Sequence, residues 1–192
     1  MCTAHDFPSK HFQNYGGEIV EITNKIVKSF KIHNGPIYFQ MLIGNQGIKV
    51  NEIACRIGGA YEDEFIPHLT GINILDMLID FSLGIDIDYT RLRQYELFNN
   101  NKKLSAQLLF AKPGKIKTIG DLSAVNNLPG VIKAKINFKP NDEVIEITNA
   151  TQRVGYMIIE GSDHKELKVN IDRAFDNIAI YDQNNSNMII KF

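Results

Sequence analysis

Between Ile37 and Cys55 the chain reads IYFQMLIGNQGIKVNEIAC. Two runs rich in aromatic, aliphatic and β-branched residues flank a Gly-Asn-Gln-Gly turn, a pattern that predicts a β-hairpin. A three-residue loop, Asn45-Gln46-Gly47 with Gly47 left-handed, pairs Gly44 with Ile48. It sets Gln40 directly opposite Glu52, and Phe39 opposite Ile53. A two-residue loop moves the pairing by one and puts Asn51 opposite Gln40. Side chains alternate across a strand, so the first register sets an amide and a carboxylate side by side on one face. A Val or Ile at position 52 would suit a strand better, so the acid needs a reason.

The flanks carry helical signals. Residues 1–17 read as polar and irregular, ending in Gly16-Gly17. EIVEITNKIVKSFKI then places Ile19, Ile22, Ile26 and Phe30 on one stripe, the mark of an amphipathic helix, and HNGP stops it. After the hairpin, GINILDMLIDFSLG predicts a helix with Ile74, Leu78 and Phe81 on its apolar side and Gly84 at its end. An Asn/Lys run at 99–103 marks a boundary. Beyond it, SAQLLFAK, GKIKTI, GVIKAKINF, DEVIEI and RVGYMIIEG are short strand-like runs. Pro-Gly at 113–114 and 129–130 and KPND at 139–142 supply turns. SDHKELKVNIDRAFDNI closes the chain's regular structure as a helix, with Leu167, Ile171, Phe175 and Ile178 in phase. The class is α+β: an antiparallel sheet with helices on it. The domains are expected at 1–98 and 104–192.

With 21 basic and 22 acidic residues the net charge is −1, so the basic excess of a nucleic-acid partner is missing. No run approaches the ~18 to 20 apolar residues of a membrane span, and the first residues lack a signal core. Cys2 and Cys55 form no C-x-x-C pair and no disulfide framework. A reducing, cytoplasmic setting is the expectation.

Glu52 and Gln40, aimed at one spot, are hard oxygen donors of the kind Mg2+ takes while keeping phosphate oxygens and waters as its other ligands. Arg56 lies on the same face if the strand runs that far, where a guanidinium can clamp a phosphate. Gly58-Gly59 would let the backbone pass close to a ligand. Read on the residues alone, a polar hairpin edge with an exposed Glu and Arg accounts for the same pattern. Other side chains have plainer explanations. Cys55 is expected to be buried or strand-borne, His68 to end a helix, and Glu62, Asp63 and Glu64 to favour a helix N-terminus. Lys49 is expected to lie along the sheet surface and Arg153 in an ion pair.

The order of these features resembles the ATP-grasp superfamily, and within it the carbamoyl-phosphate synthase-like and amino-acid-ligase-like members. The resemblance begins at HDFPSK and is strongest from NGPIYFQ to DFSLG. It rests on Gln40, Glu52, Arg56, Gly58-Gly59, Thr70-Gly71 and Leu83-Gly84. It implies the second half of an ATP-grasp fold followed by the small α+β C-terminal domain of these ligases. It also implies ATP as cosubstrate, with Gln40 and Glu52 as ligands of Mg2+ (or Mn2+). Arg56 would bind the γ-phosphate or an acyl phosphate, with Gly58 and Gly59 close to the nucleotide. Small carboxylate and amine substrates would follow. Two positions depart from the pattern. Many relatives have Glu where this chain has Gln40, and many have Asn where it has Ala54, which leaves one negative ligand. The Gly-rich loop and lysines that hold ATP have no counterpart here. The chain therefore reads as a fragment or split gene product, needing its missing N-terminal half, a companion chain or a second copy to cover it. The other reading is a non-catalytic binding or regulatory module on the same fold.

Overall fold

The computed structural model describes residues 2–96 and 102–192. The chain divides into two units, Ser9–Asn99 and Met1–Pro8 with Asn100–Phe192. Part of the Asn/Lys run read as a boundary, 99–101, lies outside the described residues. In chain order the first elements are β1 (Ala4–Phe7), α1 (Phe12–Ser29), β2 (Tyr38–Gly44), β3 (Gly47–Ala54), α2 (Glu62–Thr70), α3 (Ile74–Ser82) and α4 (Thr90–Gln94). They are followed by β4 (Lys103–Ala111), β5 (Gly114–Lys115), β6 (Thr118–Ile119), α5 (Leu122–Asn126), β7 (Val131–Ile136) and β8 (Glu143–Val144). The last are β9 (Gly155–Gly161), α6 (His164–Asn177), β10 (Ile180–Tyr181) and β11 (Ile189–Ile190).

The C-terminal unit is an antiparallel sheet in the order β1-β4-β9-β7, with β11 also paired to β4. Its central strands are apolar on both faces. Leu109, Phe110, Ala111, Met157, Ile158 and Ile159 are all fully buried, because strands covered on both sides need continuous rather than alternating hydrophobicity. Gly155 lets two strands meet closely: a Cβ there would stand 2.1 Å from the Lys135 carbonyl oxygen. Helix α6 carries Leu167 and Ala174 to this core, Ile178 joins it just past the helix end, and Ile171 and Phe175 pack against it, as the period of the sequence predicts.

Helix α6 starts on a reciprocal cap. Asp163 Oδ1 accepts the Glu166 N–H at 2.8 Å, and Glu166 Oε2 accepts the Ser162 N–H at 2.7 Å. The Glu166 N–H holds the Asp163 carboxyl below the usual Asp range, and the Ser162 hydroxyl does the same for Glu166. Further along, hydrogen bonds from Lys168 and Lys191 lower Asp172. A carboxyl depressed by folding adds stability above its unfolded pKa, and that contribution is lost as pH falls through the folded value. Asp163→Ala is therefore expected to lower the thermal midpoint at neutral pH. The gap to the wild type should narrow as pH drops below the ordinary Asp value of about 4. Melting curves followed by circular dichroism at several pH values check this, and a gap independent of pH would refute it.

Several elements differ from the sequence reading. Residues 4–7 and 12–17 are not irregular. Ala4–Phe7 adds a strand to β4, with Asp6 opposite Ser105, and the Ser105 hydroxyl donates to Asp6 Oδ1 at 2.6 Å. Residues 1–8 thus belong with the C-terminal unit. Helix α1 begins at Phe12 and runs through Gly16-Gly17, Gly16 being buried, so tertiary packing there overrides the low helix propensity of glycine. DEVIEI contributes only Glu143–Val144, GKIKTI splits into β5 and β6, and the short α5, β10 and β11 carry too few residues to show a period.

In the N-terminal unit, α1, the β2–β3 hairpin and α2–α4 follow one another. Helix α2 carries Glu62, Asp63 and Glu64 in its first turn and His68 in its last. Gly71 ends it at φ 70°, and the Thr70 hydroxyl accepts the Ile72 N–H at 3.0 Å. Asn73 then caps α3 by accepting from Leu75 and Asp76. Beyond Leu83, Gly84 takes φ 72°, and the Ile85 N–H returns to the Asp80 carbonyl. The Thr-Gly and Leu-Gly pairs are thus a helix stop and a helix exit. Among the described residues, no helix is long and apolar enough to cross a membrane.

Candidate functional site

The hairpin sets Gln40 against Glu52, Phe39 against Ile53 and Tyr38 against Ala54. The turn does not follow the three-residue form. Gly47 takes the left-handed φ of 81°, but Gly44 pairs with Gly47, and Ile43 with Ile48. The pairing shifts between Gln40 and Met41, where Asn51 is the extra residue of a β-bulge. The apolar tip explains the difference. Pairing Gly44 with Ile48 would set Lys49 beside Ile43 and turn Ile48 to the exposed face. The observed pairing keeps Ile43 and Ile48 together, both half-buried, with Leu42 and Lys49 exposed on the other side. A bulge then takes up the odd residue, so that Asn51 and Glu52 both lie across from Gln40. The Asn51 Nδ2 donates to Gln40 Oε1 at 2.8 Å.

Arg56 lies beyond the last residue of β3, yet its guanidinium stays 3.8 Å from Glu52 Oε1. It rests 5.3 Å from the centre of the Tyr38 ring, a cation–π distance, and donates to the Ile57 carbonyl at 2.9 Å. The Glu52 and Arg56 side chains are 51% and 50% exposed, so the carboxylate is open to solvent and not locked to a buried partner. An exposed ion pair of this length adds little stability. Gly58 has a local reason to be glycine. The Glu62 carboxylate folds back over it, 2.1 Å from where a Cβ would stand, and accepts the Ala60 N–H at 2.7 Å. The space beside Gly59 is open. Cys55 is neither buried nor in the strand: β3 ends at Ala54 and the thiol is exposed.

The face therefore gathers Tyr38, Gln40, Asn51, Glu52 and Arg56. Sequence spacing found three of these. Tyr38 could have been found by the two-residue period that places it with Gln40. Asn51 came to this face only in the register of the two-residue loop, which turns Glu52 away; the bulge is what lets Asn51 and Glu52 share it. As a cation site, the face offers one carboxylate and two amide oxygens. Such hard donors fit Mg2+ retaining waters and substrate oxygens better than a metal that needs a full protein cage. Among the described residues, no three His, Cys, Asp or Glu side chains group to hold a metal. A separate apolar cavity of about 220 Å3 in the same unit is lined by Pro36, Ile74, Leu78, Phe81, Ile87 and Tyr89.

Comparison with known proteins bears on both units. Residues 107–182 match the family model "L-amino acid ligase C-terminal domain 2"; the match lies in the C-terminal unit and leaves out the hairpin. No curated protein matches the chain. Among solved structures, phosphoribosylglycinamide synthetase from Anaerococcus prevotii aligns with a TM-score of 0.78 at 18% identity. That alignment covers 94% of this chain and 45% of the synthetase. L-amino acid ligase from Bacillus licheniformis aligns with a TM-score of 0.78 at 16% identity, over 96% of this chain and 45% of the ligase. The biotin carboxylase domain of Hydrogenobacter thermophilus 2-oxoglutarate carboxylase was solved with MgADP, ADP and bicarbonate. It aligns with a TM-score of 0.67 at 15% identity, over 97% of this chain and 39% of that one. The chain spans less than half the length of each. Likeness at this level of identity fixes the fold: the chain carries the second half of an ATP-grasp fold and the small α+β C-terminal domain that follows it.

Proposed function

We propose that this chain is the C-terminal part of an ATP-dependent carboxylate–amine ligase, with the β2–β3 hairpin as one wall of its nucleotide site. The carrying observation is the opposition of Gln40 and Glu52 on one solvent-open face, with Arg56 beside the acid. In this reading Glu52 and Gln40 hold Mg2+ or Mn2+, which supplies neutralising positive charge at the ATP phosphates. The Arg56 guanidinium binds the transferring phosphoryl group, held over Tyr38 and next to Glu52. A substrate carboxylate oxygen attacks the γ-phosphorus as the bond to ADP breaks. An amine then attacks the acyl carbon, phosphate leaves, and the amine proton passes to solvent or a base. Fixed positive charge is what such a transfer needs from a protein.

The partner in this reading is the N-terminal half of the ATP-grasp fold, on the same polypeptide or on a companion chain. Among the described residues, Leu69 and Ile72 are the buried apolar side chains of the N-terminal unit. Ten of the thirteen exposed large apolar side chains among the described residues also belong to it, Phe30, Leu75, Ile79, Phe81 and Leu83 among them. Bare apolar surface on that scale marks an interface. A non-catalytic module on the same fold has its own support, since the donor set holds a single carboxylate.

The chain alone is expected to release no phosphate from ATP, yet to bind millimolar Mn2+ at the hairpin, with paramagnetic broadening centred on residues 40 and 52. Glu52→Ala should erase that broadening. Robust ATP turnover by the isolated chain would overturn the half-site reading. Broadening that persists in Glu52→Ala would overturn the metal assignment.

A further inference from the structure

We infer that Asn51 is a positioning residue for Gln40, holding the amide oxygen of that side chain toward a cation at Glu52; this rests on the metal-site reading given above. A carboxylate at position 40 would present oxygen whichever way it turned. A glutamine has two unlike ends, the Oε1 that attracts a cation and the Nε2 that repels it. Something must choose between them.

The bulge supplies the choice. Continued without it, the pairing of the tip would set Asn51 opposite Gln40 and Glu52 opposite Phe39, on the other face. With it, Glu52 faces Gln40 and Asn51 stays on the same side. Bulges re-aim side chains in this way beside functional sites. The Asn51 Nδ2 donates to Gln40 Oε1 at 2.8 Å, so the oxygen end of the glutamine is held toward β3, where the carboxylate stands. A carbonyl oxygen has two lone pairs. The hydrogen bond uses one and leaves the other for a cation. Partners that orient a ligand in this way are commonly worth about 10- to 100-fold in metal affinity.

The test is a double-mutant cycle read by Mn2+ titration of the chain, with free Mn2+ measured by electron paramagnetic resonance. Asn51→Ala should weaken binding about tenfold in the wild-type background. In a Gln40→Glu background the same substitution should cost less than about twofold, because a carboxylate needs no orienting. An equal loss in both backgrounds overturns the proposal: Asn51 would then be a ligand itself, or its loss would have slipped the hairpin, which Glu at position 40 cannot repair. No loss in either background also overturns it. Glu52→Ala separates this failure from failure of the underlying reading. If the wild type shows no Mn2+ site, or Glu52→Ala binds Mn2+ as well as the wild type does, the metal assignment falls; if Glu52→Ala abolishes binding and Asn51→Ala does nothing, only the role of Asn51 falls.

Discussion

Glu52→Ala is expected to lower ATP-dependent bond formation by about a thousandfold or more in the complete ligase to which the chain is proposed to belong. Removing a single electrostatic contact to a transition state often costs about 100- to 1,000-fold. Here the contact is less replaceable than usual. Gln40 and Asn51 are neutral amides, so truncating Glu52 leaves the donor face with no negative charge, while Mg2+ favours anionic oxygens. The guanidinium of Arg56, 3.8 Å from the carboxylate, would also lose its anionic neighbour. Arg56→Lys should fall short of wild type as well, because a point charge does not reproduce a planar fork. Steady-state ADP release measures both. Activity of Glu52→Ala within tenfold of wild type would favour the non-catalytic module.

Leu109→Ala is expected to destabilise the C-terminal unit by about 3 to 5 kcal/mol, whereas Ile79→Ala in the N-terminal unit should change stability by less than about 0.5 kcal/mol. Leu109 is fully buried on the central strand β4, within the cluster that joins β4, β9, β7 and α6. Truncation there leaves a cavity walled by strands that cannot easily collapse. Ile79 is 49% exposed on α3 and has little burial to lose. Urea unfolding followed by amide signals of each unit separates the two outcomes. Equal losses at the two positions would contradict the uneven distribution of core between the units.

Much of this arrangement was legible in the sequence, for identifiable reasons. The α3 helix and its Gly84 exit and the α6 stripe from Leu167 carry strong local periods, and strands β4, β7 and β9 stand out as short apolar runs bounded by turn residues. The pairing of Gln40 with Glu52 was also legible, though through a turn the molecule does not use. Alternation alone could not choose between a longer loop and a bulge. The choice depends on which of Ile48 and Lys49 meets Ile43, a tertiary preference. Strand β1 was hidden because AHDF has no apolar rhythm and gains its place by pairing with β4. The start of α1 was hidden by two glycines, and the role of Gly58 by a carboxylate four residues on that folds back over it.

The kink at Asn51 also uncouples the two ends of the hairpin. Contacts of Ile43 and Ile48 dictate the arrangement at the tip, and the opposition of positions 40 and 52 dictates the mouth. The spare residue lets each end satisfy its own demand. Lineages carrying this hairpin could trade residues at the loop for residues at the kink, and the chemistry at the mouth would not register the exchange.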